Sequence, residues 1–556
     1  MSFLYREAGR VLQGVEDGKA SLKTLTLANA RSGVGGGKSG DKDGPKRKLY
    51  AMVSETLRYK PLLDKLVLSA DPTGTLFSDE HMREKQQGYV MLYEMLLGKG
   101  SIQGGGKLKR HLMQYKARLE KCLAEAKRAE GLPADADNET LLPKSARRHV
   151  FPRYARVNLM TCPEGTEGLA ATLRKEGFTA KVDDVVPSLL VLPAGTDLHE
   201  HAMVKDGRLV LQDKSSCFSA EALLGEEVAA EGAGGLGVNG RGAVGMHREQ
   251  IGGDVIDACA APGNKTMHLA SLLSRTLATA GGGSSNGSGN TGWVVLDTPR
   301  NTTKRKVLAF DKDPRRLALM RRRIEEAGGA DAIDTRLQDF LEADPADPSF
   351  ANVTAILLDP SCSGSGIASA PDRLHDNSQA ESDIGGEGAA RVQRLAAFQV
   401  SALLKAMSFP QVQRVCYSTC SIHVEENEGV VMKALAQQSQ ISEHTTFYSD
   451  ASGGTAAAGR FVLTRCLPKW PRRGLQAAGA NEQQAACMVR ADPSEDETNG
   501  FFVAVLQRER AGKGIGQAEV EVTELGARST TETGDGAVGT KKRRNRHKNR
   551  KKKRKK

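Results

Sequence analysis

Two cysteines stand just beyond short apolar runs. Cys362 lies in Asp359-Pro-Ser-Cys-Ser-Gly-Ser-Gly366, and Cys420 in Arg414-Val-Cys-Tyr-Ser-Thr-Cys-Ser-Ile-His-Val-Glu-Glu-Asn-Glu428. A deprotonated thiol is a soft nucleophile, and strand ends are where open α/β sheets place their chemistry. One such cysteine alone would read as a buried structural residue. Two of them after separate strands overturn that reading, because a Gly-rich loop, Asp257-Ala-Cys-Ala-Ala-Pro-Gly-Asn-Lys-Thr266, follows a third.

The loop points to a ligand. Small residues over 258–263 let backbone approach a bound group closely, and the N-terminus of the helix that follows favours negative charge. Asp311, at the end of the next strand, is placed for ribose hydroxyls. A phosphate-cradling P-loop is excluded: Asn264 separates Gly263 from Lys265, and Ala258 stands where the first glycine belongs. The dinucleotide fingerprint is absent as well. An adenosine-bearing cofactor without a long phosphate chain remains, and S-adenosyl-L-methionine fits.

The elements that must position these groups alternate between strand and helix from Asp254 onward, which argues a parallel, doubly wound sheet. Strands are expected at 255–256, 307–310, 355–358, 415–417 and 501–506. Helices are expected after Thr266 (Leu269, Leu272, Leu273 and Leu277 inward), at 390–407, and at 425–436 with Val430, Val431, Ala434 and Leu435 inward. Asp313 should cap another helix, with Pro314 at its first position and Gly328 past its end. Upstream, strands at 153–159, 189–192 and 207–212 with helices at 166–176 and 218–224 read as a small α+β module. Residues 1–130 read as helical, with Leu4, Ala8, Val11, Leu12 and Val15 on one face, Leu49, Met52, Val53 and Leu57 on another, and Pro61 restarting the chain. Further helices are expected at 89–97 and 108–123. The expected organisation is a basic helical region at 1–130, an α+β module at 145–225, a flexible linker at 226–253 and a Rossmann-like domain at 254–510. That domain carries a disordered Gly/Ser/Asn-rich insertion at about 279–304 and a flexible loop at 372–388. A linker at 511–540 and a tail at 541–556 follow.

The net charge of +12 is concentrated at the ends. Lys541–Lys556 holds thirteen Lys or Arg and no acid, and residues 1–150 carry 27 basic against 18 acidic side chains, whereas 151–540 carries 39 against 49. Cationic flanks of this kind hold polyanions or direct a chain to the nucleus. The nine cysteines form no paired framework, which suggests a reducing compartment. Their spacing and that of the 11 histidines make no zinc site, so no metal is expected. No apolar run approaches a membrane span, so no membrane is expected either.

Taken together, these motifs resemble those of the NOL/Nop/Sun family of RNA cytosine-5 methyltransferases, and most of all its fifth eukaryotic branch, which acts on large-subunit ribosomal RNA. The likeness runs over about residues 150–510. It rests on Leu209-Val-Leu-Gln-Asp213, on Asp257–Thr266 with Asn264 where most members have Gly, and on Asp359–Gly366. It rests also on Tyr417–Glu428, Leu467-Pro-Lys-Trp-Pro-Arg-Arg-Gly474 and Asn499-Gly-Phe-Phe-Val-Ala504. The long insertion before Asp311 departs from the pattern. The resemblance implies a Rossmann-like S-adenosylmethionine-dependent methyltransferase sheet with a helical N-terminal region and an RNA-binding module, ribosomal RNA and a pre-ribosomal particle as partners, and a nuclear, nucleolar location.

It also implies roles. Cys420 attacks carbon-6 of the base, Asp359 bonds the ring at its nitrogen-3 edge, and Cys362 assists release. Cys259, Ala260, Ala261, Pro262, Gly263, Asn264 and Lys265 wrap the cofactor, with Asp359 beside them. Asp311 and Arg316 hold its ribose and Asp339 its adenine amine. Lys265 lowers the pKa of the nearby thiols. From the residues alone the two thiols cannot be ranked as nucleophile. A ribosome-assembly RNA-binding factor with a vestigial site is the alternative.

Overall fold

The computed structural model describes residues 2–20, 22–29, 44–78, 84–143, 147–225, 252–279, 305–368, 387–442, 448–449, 455–456 and 459–509. Most of the linker at 226–253, the insertion at 279–304 and the loop at 372–388, and the whole of 511–556, lie outside the described residues.

Five helices open the chain: α1 Ser2–Glu16, α2 Leu22–Asn29, α3 Gly44–Ala70, α4 Lys85–Leu96 and α5 Lys107–Ala129. Their apolar stripes close on one core that includes Val11, Leu12, Val53, Leu63, Val90, Leu92 and Leu112. The expected break at Pro61 is not there, since α3 runs straight through it. A proline inside a helix costs about 3 kcal/mol, but Tyr59, Leu62 and Leu63 around it are all buried. Packing on both sides of the proline outweighs the lost hydrogen bond.

The module that follows is built from β1 Arg153–Val157, α6 Gly165–Lys175, β2 Lys181–Val182, β3 Leu189–Leu192, α7 Ala202–Lys205 and β4 Leu209–Leu211. Its strands form an antiparallel sheet in the order β2-β3-β1-β4, over a core of its own. The next helix, α8 Lys214–Leu224, is longer than expected. It is expected within the module, yet Phe218, Ala222 and Leu223 belong to the core of the large sheet.

That sheet comprises β5 Asp254–Asp257, β6 Val307–Asp311, β7 Ile333–Leu337, β8 Val353–Leu358, β9 Arg414–Thr419, β12 Phe461–Thr464, β13 Val489–Ala491 and β14 Phe501–Arg508; β10 Tyr448–Ser449 and β11 Thr455–Ala456 pair apart from it. Its order is β12-β14-β9-β8-β5-β6-β7, with β13 beside β14. Strands β5 to β9 pair in parallel, and β14 closes antiparallel on β9. Side chains alternate between two cores, as the two-residue period of a strand requires. Val255, Ala309, Leu357, Cys416 and Val503 face one side, together with α8, α9 Asn264–Thr279 and α10 Pro314–Glu326. Ile256, Phe310, Ile356, Tyr417 and Phe502 face the other, together with α11 Glu387–Met407 and α12 Glu428–Ser442. A short helix, α13 Glu482–Cys487, precedes β13. Helices cover both faces, so the chemistry is left to the strand ends. Among the described residues no helix is long and apolar enough to cross a membrane, and no three metal-ligating side chains gather.

Candidate active site

Parallel pairing of β5, β8 and β9 brings their carboxyl ends side by side, and the three loops after them meet. Cys362 Sγ and Cys420 Sγ lie 3.2 Å apart. Asp359, one residue past β8, receives Lys265 Nζ at 2.9 Å on one carboxylate oxygen and Ser418 Oγ at 2.7 Å on the other. Lys265 also donates to Ser216 Oγ on α8 at 3.1 Å and sits over the Phe501 ring. The four groups expected to do the chemistry thus form one cluster.

Electrostatics separate the thiols. Burial pushes Cys259 up to about 12, helped by the carboxylates of Asp257, Asp359 and Asp311, so it stays protonated at neutral pH. Cys362 is pushed well above its ordinary value, first by its hydrogen bond to Cys420 and then by burial. The expectation that Lys265 would lower the pKa of both thiols therefore fails for Cys362. Burial opposes the charge on Lys265 itself, but Asp359 outweighs it, with a further contribution from Cys420, and the ammonium is held above its usual range.

Several residues that hold this geometry went unnoticed in the sequence. Asn427 is fully buried; its Oδ1 receives Thr419 Oγ1 at 2.6 Å and its Nδ2 donates to Ser421 O at 2.9 Å. One side chain thereby grips the residues on either side of Cys420. Glu426, also fully buried, receives Ser363 N at 2.9 Å, Ser363 Oγ at 2.5 Å and Gln399 Nε2 at 3.0 Å, which fixes the residue after Cys362. Gly366 N donates to Cys420 O at 2.9 Å and ties the two cysteine loops directly. From the module, the fully buried Arg156 on β1 donates to Gln212 Oε1 at 2.9 Å and to Asn264 O at 3.3 Å. Gln212 in turn donates to Ser216 O at 3.3 Å. A hydrogen-bonded chain thus runs from the module to the lysine. The only sequence signals were polar side chains beside the motifs, in Ser418 and in Glu426-Asn427.

The loop after β5 has the expected form. Gly263 holds φ +99°, and a Cβ there would lie 2.8 Å from Met320 Cγ. Asp311 receives Ala261 N at 3.2 Å and Asp313 N at 2.9 Å, and it pairs with Arg316 at 3.3 Å; Arg316 also reaches Ala261 O. Asp313 caps α10 as expected. Asp339, past β7, makes no direct bond to the loop and pairs instead with Lys312 at 3.0 Å. Asp257 is fully buried and receives Thr266 Oγ1 at 2.7 Å; its other oxygen meets no partner among the described residues, and burial raises it to about 7.

Residues 47–138 match the model of the NOL1/NOP2/Sun domain family member 5 N-terminal domain, 151–212 that of the same family member's ferredoxin-like domain, and 291–507 that of the 16S rRNA methyltransferase RsmB/F. The chain is 36% identical over 524 residues to a 28S rRNA (cytosine-C(5))-methyltransferase of Mus musculus, with 91% of each covered. It is 32% identical over 514 residues to the 25S rRNA (cytosine-C(5))-methyltransferase NSUN5 of Arabidopsis thaliana, covering 90% of this chain and 72% of that one. It is 30% identical over 517 residues to the corresponding Schizosaccharomyces pombe protein, rcm1, covering 91% and 92%. The crystal structure of PH0851 superposes with a TM-score of 0.50 at 17% identity, over 91% of this chain and 99% of that one, a likeness of fold.

Proposed function

The chain belongs to the NOL1/NOP2/Sun family, in its member-5 branch, and from that premise we propose that it transfers a methyl group to carbon-5 of a cytosine in large-subunit ribosomal RNA. The observation that carries the reading is the meeting of Cys420, Cys362, Asp359 and Lys265 at the ends of three adjacent strands.

The residues at the ends of β5, β6 and β7 suit S-adenosylmethionine. A tight loop turned at Gly263, whose φ of +99° favours glycine, and carboxylates at Asp311 and Asp339 able to accept from hydroxyl and amine groups, match a donor with a ribose and an adenine. Cys259, Ala260, Ala261, Pro262, Gly263, Asn264 and Lys265 would line it, with Asp311 and Arg316 at the ribose, Asp339 at the adenine amine and Asp359 at the reacting end. When bound, it supplies an electrophilic methyl group on a cationic sulfur.

The protein's part is to make carbon-5 a nucleophile. The Cys420 thiolate adds to carbon-6, and the electron pair of the carbon-5–carbon-6 double bond becomes available at carbon-5. Asp359 accepts from the exocyclic amine at the nitrogen-3 edge, and the Lys265 ammonium at its side counters charge developing on the ring. Once carbon-5 carries its methyl group, Cys362 gives its own proton to solvent, the one proton the overall reaction releases, and as a thiolate takes the carbon-5 proton. The freed pair restores the double bond, and the carbon-6–sulfur bond breaks to return the Cys420 thiolate. The two thiols suit this order. The largest influence holding the Cys362 proton is its hydrogen bond to Cys420, and that bond is spent once the Cys420 sulfur is joined to carbon. Cys362 is thus easiest to ionise when it is needed.

The RNA partner, presented in a pre-ribosomal particle, and a nucleolar location accord with the basic tail at 541–556. The test is incubation with large-subunit rRNA and labelled S-adenosylmethionine, read by bisulfite sequencing. One or more protected cytosines are expected; label on another base or on protein would refute the reading.

A further inference from the structure

Lone exposed apolar side chains are ordinary on a protein surface. Ile422 and Leu475, 43% and 45% exposed, are not lone in this sense. Both hang from one ion pair. Glu428, fully buried, pairs with Arg490 through bonds of 2.7 and 2.6 Å. The same carboxylate receives Leu475 N at 2.9 Å, and the same guanidinium donates to Ile422 O at 3.0 Å. Ile422 N is held as well, by Ser365 Oγ at 3.0 Å on the Cys362 loop. Beneath it the Gly500 backbone lies so close that a Cβ there would come within 2.9 Å of Ile422 Cγ2. The backbone of Ile422 is therefore fixed at both its N–H and its C=O while its side chain is presented to water. It stands two residues from Cys420.

A base that reacts at carbon-5 and carbon-6 must leave its stack, and the gap or the unstacked neighbours then need an apolar surface. We propose that Ile422 and Leu475 form a rigid apolar wedge that packs against the unstacked nucleobases flanking the target cytosine. The wedge rests on the methyltransferase reading above. Its ligand is the flat face of RNA bases, and its position is continuous with the nucleophile's loop. A buried ion pair anchors it because a wedge works only if its backbone does not yield.

The test uses the full chain and two RNAs of one sequence around the target, one with the cytosine base-paired in a hairpin and one with it in an unpaired strand. The double variant Ile422→Ser/Leu475→Ser should lose about tenfold or more in kcat/KM on the hairpin, since nothing then offsets the cost of unstacking the target. On the unpaired strand it should lose less than about threefold, the wedge having little unstacking left to do. Ile422→Val should restore the hairpin activity of the Ile422→Ser single variant. A 2-aminopurine next to the target should brighten on binding the wild-type protein and not the double variant. Equal losses on both RNAs, or no loss on either, would overturn the wedge. Failure of the wild-type protein to methylate either RNA would overturn the methyltransferase reading on which it stands.

Discussion

Replacing Asn427 by Ala removes the grip on Cys420 and leaves the thiol itself untouched. Two bonds vanish, the 2.6 Å bond from Thr419 Oγ1 and the 2.9 Å bond to Ser421 O, in a place without solvent exposure. Each group left unsatisfied costs about 1–3 kcal/mol, so the variant should be less stable by about 2–6 kcal/mol. For a domain of this size that is a fall in midpoint of about 4–24 °C, small enough for the protein to be folded in an assay at 20 °C. The chemical effect is separate. The main chain on both sides of Cys420 loses its fixed partner, and misplacement by 1 Å can cost about 10²-fold. Turnover on saturating RNA and methyl donor should therefore fall by about one to two orders of magnitude, with RNA affinity unchanged. The Cys420-dependent RNA adduct should also form more slowly in a background that traps it. A variant that melts early yet turns over at the wild-type rate below its midpoint would refute the claim that Asn427 positions the nucleophile.

Cys420→Ala should bind RNA and form neither adduct nor product, whereas Cys362→Ala should methylate and then stall, leaving an RNA–protein adduct that survives denaturing electrophoresis; an adduct with Cys420→Ala alone would reverse the two roles. Asp257 is raised from its ordinary 3.8 to about 7 by burial, so its neutral form is favoured in the fold: its contribution is fully present below about pH 4 and is lost as pH rises to about 7, by at most ~4 kcal/mol. Asp257→Asn should flatten the dependence of stability on pH in that window, as read by denaturant unfolding. Deleting Lys541–Lys556 should lower the salt dependence of RNA binding and leave turnover on a saturating short RNA intact; lost turnover would place the tail in the active site.

The strand ends and their loops were legible because each motif is contiguous: an apolar run, then its reactive residue, as at Leu358-Asp359 and Tyr417-Ser-Thr-Cys420. What escaped was tertiary or marginal. Ser216 and Arg156 act on Lys265 and its loop from another part of the chain, and no local pattern announces such a partner. Strand β7, Ile-Asp-Thr-Arg-Leu, lies at the sheet edge and is only half buried, so it lacks the apolar run that marked its neighbours. The helix after Cys420 was expected to begin at Glu425, but a 3-10 turn at Val424–Glu426 comes first, and Asn427 breaks from helical geometry at φ −111°, ψ −103°. That break is what turns the Asn427 amide back toward Thr419 and Ser421. Helix α8 is buried nearly all round, from Ser215 to Leu224, and shares a core with both Leu189 of the module and Val255 of the large sheet, so no single face in its sequence points to one of them.

The antiparallel partnership of β14 with β9, from Phe502 opposite Thr419 to Gln507 opposite Arg414, also sets a clock on biosynthesis. The strand leading to Cys420 is translated with one edge bare, and that edge stays bare until residues 421–508 have followed. At about 5–20 residues per second the wait is roughly 5–20 s. During it the growing chain exposes a six-residue strand edge with unpaired backbone groups, the sort that recruits chaperones or a wrong neighbour. The strand that seals this edge is also the one that places Phe501 under Lys265. A nascent chain on its ribosome therefore holds its thiols before it holds the frame that aims them.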